Sequence, residues 1–312
     1  MIRDFLRDND IDLSGVDAIV GRGGSAYPME GGVYVVDDLL IKDTKEMKGG
    51  MEHPSNLGVQ LAEKLHDIYG GQMFTVDPPV VDELSDLARM TGIKGIYRKA
   101  ENHALNLKGT AKLHAKNTGR RYEDCNFIVC HIDGGISISA HEKGRIVDCN
   151  DAAGGDGPYT PSRIGSISVA DLIDYCRDKD INEVRKLCTG NGGLISLLGT
   201  NNSDRIHEMV AAGDKKATRV WQGMIYQIVK YIGAMATVLG GRVDDIILTG
   251  GLVRFADIVD TITAKCGWIA PVTVYPDEVE NEAMAAGALS VLRGETKPRH
   301  YNGKSVFTGF DD

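Results

Sequence analysis

Residues 127–141, FIVCHIDGGISISAH, set two short apolar runs on either side of Asp133-Gly134-Gly135. The first run, Phe127 to Ile132, is β-branched or aromatic at most positions, and the second alternates Ile-Ser-Ile-Ser-Ala from Ile136 to Ala140. The pair reads as a β-hairpin that turns on two glycines. Alternation predicts Ile136, Ile138 and Ala140 on one face and Ser137, Ser139 and His141 on the other, an oily side for a core and a polar side for a cleft. Glycines at the tip would let backbone N–H groups come close to an anion.

A second glycine pair lies in residues 246–256, IILTGGLVRFA. The apolar run predicts a strand that enters Gly250-Gly251 and then a helix. Glycine permits close approach there, and a helix N-terminus carries positive partial charge, so the geometry suits a nucleotide. A tight strand-to-helix turn without a ligand is the plain alternative. No Lys-Ser or Lys-Thr follows at P-loop spacing, and the six-residue dinucleotide fingerprint is absent.

Length and charge narrow the classes. The 312 residues suffice for two domains and a substantial core. A net charge of −9 argues against nonspecific nucleic-acid binding, which needs basic surface. An anionic substrate would therefore require a local basic site and a divalent cation. The six cysteines form no CxxC pair, which points to reduced thiols in the cytoplasm. The N-terminal MIRDFLRDNDIDL is too charged for a signal peptide, and no apolar run approaches membrane-spanning length.

Along the chain, strands are expected at 16–20, 33–36, 74–76 and 144–149, and helices at about 56–69, 98–118, 169–177, 181–188, 203–211, 214–239, 252–265 and 277–292. Residues 189–202 read as a loop. Gly21-Arg22-Gly23-Gly24 breaks the first strand, and an arginine there can clamp a carboxylate or phosphate with its planar fork, or be a solvated turn residue. Asp77 ends a strand before two prolines and can orient a catalytic group or cap the next segment. His53 sits in a loop before Pro54, and His103 and His114 fall on a helix, where lone histidines are ordinarily structural or exposed. Arg163 lies in the glycine- and proline-rich loop 154–168 and is a binding candidate. Strands alternate with helices in the second half, predicting α/β layers on a mixed sheet.

Residues 128–163, 247–255 and 277–289 (IVCHIDGGISISAHEKGRIVDCNDAAGGDGPYTPSR, ILTGGLVRF and DEVENEAMAAGAL) together resemble the butyrate-phosphorylating members of the acetate kinase family, within the actin-like and sugar-kinase-like ATPases. Residues 16–34 and 98–115 match too, so the similarity runs through the chain in order. The resemblance implies an α/β fold of two ribonuclease-H-like domains with mixed sheets around a central cleft. The first domain would hold residues 1–80 and 285–312, and the second, residues 81–284. It implies ATP-dependent phosphorylation of a short-chain carboxylate, butyrate or a branched analogue, to an acyl phosphate. The reverse reaction would make ATP from ADP, and the enzyme would be a cytoplasmic homodimer using Mg²⁺.

Carried over by motif, Arg22 and Arg163 would hold the carboxylate and the transferring phosphoryl group. His103 and His131 would contact that phosphoryl, and Asp77 would orient an arginine. Asp133, Gly134, Gly135 and Ser137 would line the phosphate hairpin, Gly250 and Gly251 would face adenosine, and Glu282 would serve Mg²⁺, with Glu280 the competing choice. Three departures qualify the resemblance. The family's first phosphate motif is not found in residues 1–50, so the first domain is expected to be incomplete and the chain could be a weak kinase or a nucleotide-binding remnant. Asp133 stands where relatives often have glycine and would repel phosphate unless it binds Mg²⁺ or turns away. Asn102 stands where an aromatic or apolar residue is usual. A hexose or amino-sugar kinase is a weaker reading, because no aspartate base for a hydroxyl acceptor is identified.

Overall fold

The computed structural model describes residues 2–50 and 54–310, so His53 lies outside the described residues. The chain divides into two compact units: Met1–Val80 with Asn281–Thr308, and Val81–Glu280 with Gly309–Asp312.

The first unit contains α1 (Ile2–Asp8), β1 (Ala18–Gly21), β2 (Val33–Val35), α2 (Asp38–Lys45), α3 (Asn56–Tyr69) and β3 (Gln72–Val76). Its three strands run in the order β1-β3-β2, with β1 parallel and β2 antiparallel to β3. Asp37 starts α2 by accepting the Leu40 N–H, an N-cap that the sequence pattern alone does not single out. Leu40 and Ile41 of α2 and Val59 of α3 then close over Met29, Tyr34 and Val36 to form this unit's core.

The second unit is built on five strands. In chain order its elements are α4 (Asp86–Arg89), α5 (Ala104–Asn117), β4 (Asn126–Ile132), β5 (Ile136–Glu142) and β6 (Arg145–Cys149). Next come α6 (Val169–Cys176), α7 (Ile181–Thr189), α8 (Gly193–Leu198), α9 (Ser203–Ala211) and α10 (Lys215–Val238). The series ends with β7 (Asp245–Gly250), α11 (Ala256–Cys266) and β8 (Val272–Pro276); α12 (Glu280–Leu292) follows and belongs, after Glu280, to the first unit. The strand order is β6-β5-β4-β7-β8; β4, β7 and β8 are parallel, and β4-β5-β6 is an antiparallel meander.

Both faces of this sheet are covered. Ile128, Cys130, Ile132, Ile136 and Ile138 pack with the buried stripe of α10, Trp221, Met224, Ile228 and Ile232. Phe127, Val129 and Ile247 pack on the other side with Leu107, Ala111 and Ala115 of α5. A strand buried on both faces cannot offer a polar side to water, which corrects the expected cleft face of β5. Ser139 and His141 are fully buried. Tyr122 Oη lies 2.7 Å from His141 Nδ1, and Ser139 Oγ lies 2.8 Å from His141 Nε2.

Other boundaries shift. The helix expected from residue 98 begins at Ala104, with His103 as its N-cap residue. The expected loop 189–202 contains α8. Gly250-Gly251 leads not into a helix N-terminus but into a 3₁₀ turn, Gly251–Arg254, with α11 starting at Ala256. Among the described residues no helix is long and apolar enough to cross a membrane.

Candidate active site

The hairpin register places His131 on β4 opposite Ser137 on β5 and beside Thr249 on β7. Three groups at the ends of adjacent strands therefore meet by pairing alone. The N-cap position of α5 adds His103, whose Nδ1 lies 2.8 Å from Ser137 Oγ. The rings of His103 and His131 stack with centroids 4.0 Å apart and planes inclined by 22°.

Gly135 is closely approached by two side chains. A Cβ there would stand 2.9 Å from His103 Cε1 and 3.0 Å from Arg163 Nη1. His103 and Arg163 thus converge on the hairpin tip over a residue that has no side chain. Gly250 has φ of +98°, and a Cβ on it would meet the Ile132 carbonyl oxygen at 2.6 Å, so both position and conformation call for glycine.

The loop that carries Arg163 is tied to the same tip. Thr160 Oγ1 donates to the Gly134 carbonyl at 2.8 Å and accepts the Arg163 N–H at 3.0 Å; Ser162 Oγ donates to the same carbonyl at 3.2 Å. Arg163 Nη1 donates to the Ala152 carbonyl at 2.7 Å, while its buried Nε has no partner among the described residues. Burial pushes the Arg163 guanidinium below its ordinary range, against the pull of Asp151 and Glu101. A partly desolvated guanidinium with an unspent N–H is a receptor for an anion.

Asp133 is held by the backbone of the two glycine turns. Its carboxylate accepts the Gly134 N–H through Oδ1 and the Gly251 N–H through Oδ2, both at 2.6 Å. It joins the two glycine pairs that the sequence singles out separately. In this arrangement the carboxylate spends its charge on the backbone donors of the two turns.

The second unit therefore brings together His103, His131, Ser137, Arg163, Asp133, Gly134, Gly135, Gly250 and Gly251. In the first unit, β1 and β3 are parallel neighbours with Gly21 opposite Thr75, so Arg22 and Asp77 leave that sheet at the same end. Asp77 is buried, adopts φ of +38°, and accepts the Gly32 N–H at 2.8 Å. Glu282 is exposed near the start of α12, whereas Glu280 is buried. Among the described residues no group of three or more His, Cys, Asp or Glu side chains forms a metal cage.

Three residues of this neighbourhood do not stand out in the sequence: Asn106, Thr160 and Thr249. Asn106 donates to His131 Nδ1 at 2.8 Å. Its signal is its place one turn beyond His103 on the same helix. Thr160 lies within the matched TPSR stretch, and Thr249 immediately precedes the second glycine pair.

The fold is that of the acetate kinases. The acetate kinase of Porphyromonas gingivalis superposes with a TM-score of 0.78 at 19% identity, over 93% of this chain and 83% of that one. That of Entamoeba histolytica gives 0.73 at 18% identity, over 92% and 83%. A propionate kinase from Francisella tularensis subsp. tularensis SCHU S4 gives 0.73 at 16% identity, over 92% and 82%. Residues 91–297 match the Acetokinase family, and the chain belongs to that family of kinases. Among its relatives are proteins named "Probable butyrate kinase" from Clostridium botulinum strains Alaska E43 / Type E3 and Eklund 17B / Type B. Each is 43% identical over 303 residues, covering 96% of this chain and 85% of the relative.

Proposed function

We propose that the protein transfers the terminal phosphoryl group of ATP to a short-chain carboxylic acid, butyrate or a branched analogue, forming an acyl phosphate, and runs the reaction in reverse to make ATP from ADP. The observation that carries this reading is the convergence of His103, Arg163 and the stacked His131 on the hairpin tip at Gly135. Phosphoryl transfer needs in-line positioning and charge stabilisation more than covalent help. Arg163 supplies fixed positive charge, and the two imidazoles supply N–H donors to the oxygens of the transferring group. Arg22 is assigned the carboxylate of the acid, and Asp77 the orientation of Arg22. Gly250 and Gly251 are assigned the nucleoside. Asp133 acts on the nucleotide indirectly, by fixing the two turns.

The acceptor oxygen is ionised at neutral pH, so no general base is needed. Mg²⁺ takes one or two carboxylates and keeps water and phosphate oxygens as its other ligands, which suits the single exposed Glu282 better than the buried Glu280. When bound, it would neutralise charge on the triphosphate. The family resemblance further proposes a homodimer that works in the cytoplasm.

The test is a hydroxylamine-trap assay with ATP, Mg²⁺ and either acetate, butyrate or isobutyrate. The expected result is hydroxamate formation that is largest with butyrate or isobutyrate. His131→Gln should reduce it about 100-fold or more. Production no greater than in a no-enzyme control would sink the reading. One methylene alters preference by only about 1–3 kcal/mol, so the ranking of acids is read from kcat/KM and not from a single concentration.

A further inference from the structure

Asn106 is fully buried on the first turn of α5, and its surroundings decide which way its amide points. Oδ1 lies 3.0 Å from the Val279 N–H, and a backbone N–H can only donate. Nδ2 lies 3.4 Å from Thr249 Oγ1, whose own hydrogen goes to the Asp277 carbonyl at 2.7 Å. That hydroxyl is left to accept. Both constraints turn the amide NH₂ toward β4, where it meets His131 Nδ1 at 2.8 Å. An NH₂ group donates, so Nδ1 accepts, and the proton of the neutral ring resides on Nε2.

We infer that Asn106 is a positioning residue that holds His131 neutral in the Nε2–H form, so that the ring serves as a hydrogen-bond donor and not as a base. Protonating Nδ1 would set two N–H groups against each other in a buried site. Turning the amide over would strand the Val279 N–H and give Thr249 an acceptor where it has no hydrogen to offer. Two other titratable groups face the ring. Glu278 Oε1 lies 3.6 Å from Nε2 and favours a cation; the stacked His103 disfavours one whenever it is itself charged. Asn106 settles the balance from the opposite edge of the ring. The value of the outward N–H rests on the phosphoryl-transfer reading, whereas the tautomer does not.

The experiment uses the full chain labelled with ¹⁵N-histidine, without nucleotide, with the His131 resonances identified by their loss in H131Q. Between about pH 6 and 9, Nδ1 is expected at the shift of an unprotonated imidazole nitrogen and Nε2 at that of a protonated one. In N106D a carboxylate oxygen replaces the amide NH₂ while the other oxygen still accepts from Val279. Nδ1 then becomes the protonated nitrogen. The ring is a cation at low pH, and as pH rises it loses the Nε2 proton. Turnover of N106D should fall at least tenfold across that titration, while His131 of the parent protein shows no titration over the same range.

A protonated Nδ1 in the parent protein would overturn the inference, and that spectrum alone suffices if N106D does not fold. A folded N106D with the parent's His131 spectrum would overturn it as well. Full turnover by H131Q would overturn the use given to that N–H, whereas hydroxamate production by the parent protein no greater than in a no-enzyme control would count against the phosphoryl-transfer reading and not against the tautomer, since the spectrum is recorded on the free protein.

Discussion

His131 and His141 stand at opposite ends of one hairpin, and the contrast is between a histidine assigned to the proposed site and one enclosed in the core. Both are buried, at 1% and 0% exposure, and both lie on strands of the same sheet. Ser139 Oγ donates to the Val129 carbonyl at 3.0 Å, so it accepts the N–H of His141 Nε2, and His141 Nδ1 accepts the hydrogen of Tyr122. Asn106 leaves His131 in the same tautomer. The two rings differ in what lies at Nε2, a core hydroxyl for His141 and the half-exposed Glu278 for His131, and in the stacking of His131 on His103. Burial alone therefore does not tell the two rings apart; their neighbours at Nε2 do.

The sharpest way to break the contrast is to damage each end in turn. Arg163→Ala at the tip should lower kcat by about 1,000-fold, roughly the loss of one preorganised charge-stabilising group, while urea unfolding at neutral pH shifts little. His141→Ala should do the reverse. It removes the acceptor of the buried Tyr122 hydroxyl and the N–H that Ser139 accepts, leaves a cavity, and should cost about 2–4 kcal/mol of stability, with turnover of the folded fraction within about threefold of the parent. A folded His141→Ala protein with turnover as low as that of Arg163→Ala would mean that the far end of the hairpin also belongs to the site.

Much of this arrangement is legible in the residues because it depends on local rules. The hairpin, its glycine tip and the 3.6-residue stripe of α10 derive from periodicity and turn chemistry. The Gly250 turn is visible as a strand ending in a glycine pair. What periodicity cannot tell is which face of a strand meets solvent once helices cover both sides, and on that point the expected polar cleft face fails at Ser139 and His141. Nor does the letter at position 133 say where its carboxylate turns. Asp133 beside a phosphate loop reads as repulsion, yet two backbone N–H groups from segments more than a hundred residues apart satisfy it. Asn106 and Thr160 are hidden for the same reason, since their partners are distant in sequence and near in space.

A smaller effect tests whether the tip's geometry matters as well as its charge. Gly135→Ala places a methyl group within about 3 Å of His103 Cε1 and Arg163 Nη1, closer than side-chain carbons are found, so both groups must retreat by a few tenths of an ångström. Turnover should fall about 10- to 100-fold with little change in the unfolding midpoint. Gly134→Ala sets the scale, because its methyl would stand in open space and its loss should be clearly the smaller. Equal losses in the two variants would show that the close packing around Gly135 is incidental to catalysis.

The smallest expected effect concerns His141 and acid. Its burial, reinforced by the nearby Lys108 and Lys112, holds the imidazole well below its usual range of about 6.5 in the folded protein. In the unfolded chain it titrates normally. Below about pH 6.5 the unfolded state therefore binds the proton that the folded state refuses, and stability is lost as pH falls from the unfolded value toward the folded one. The stabilisation is complete above that window. Comparing urea unfolding of the parent with that of His141→Gln removes the contribution of every other group. The difference between them should shrink steadily as pH falls from 7 toward 5. Parallel curves for the two proteins over that range would show that the folded state accepts the proton as readily as the unfolded one, and the closed Tyr122–His141–Ser139 chain would then fail as the structural half of the comparison.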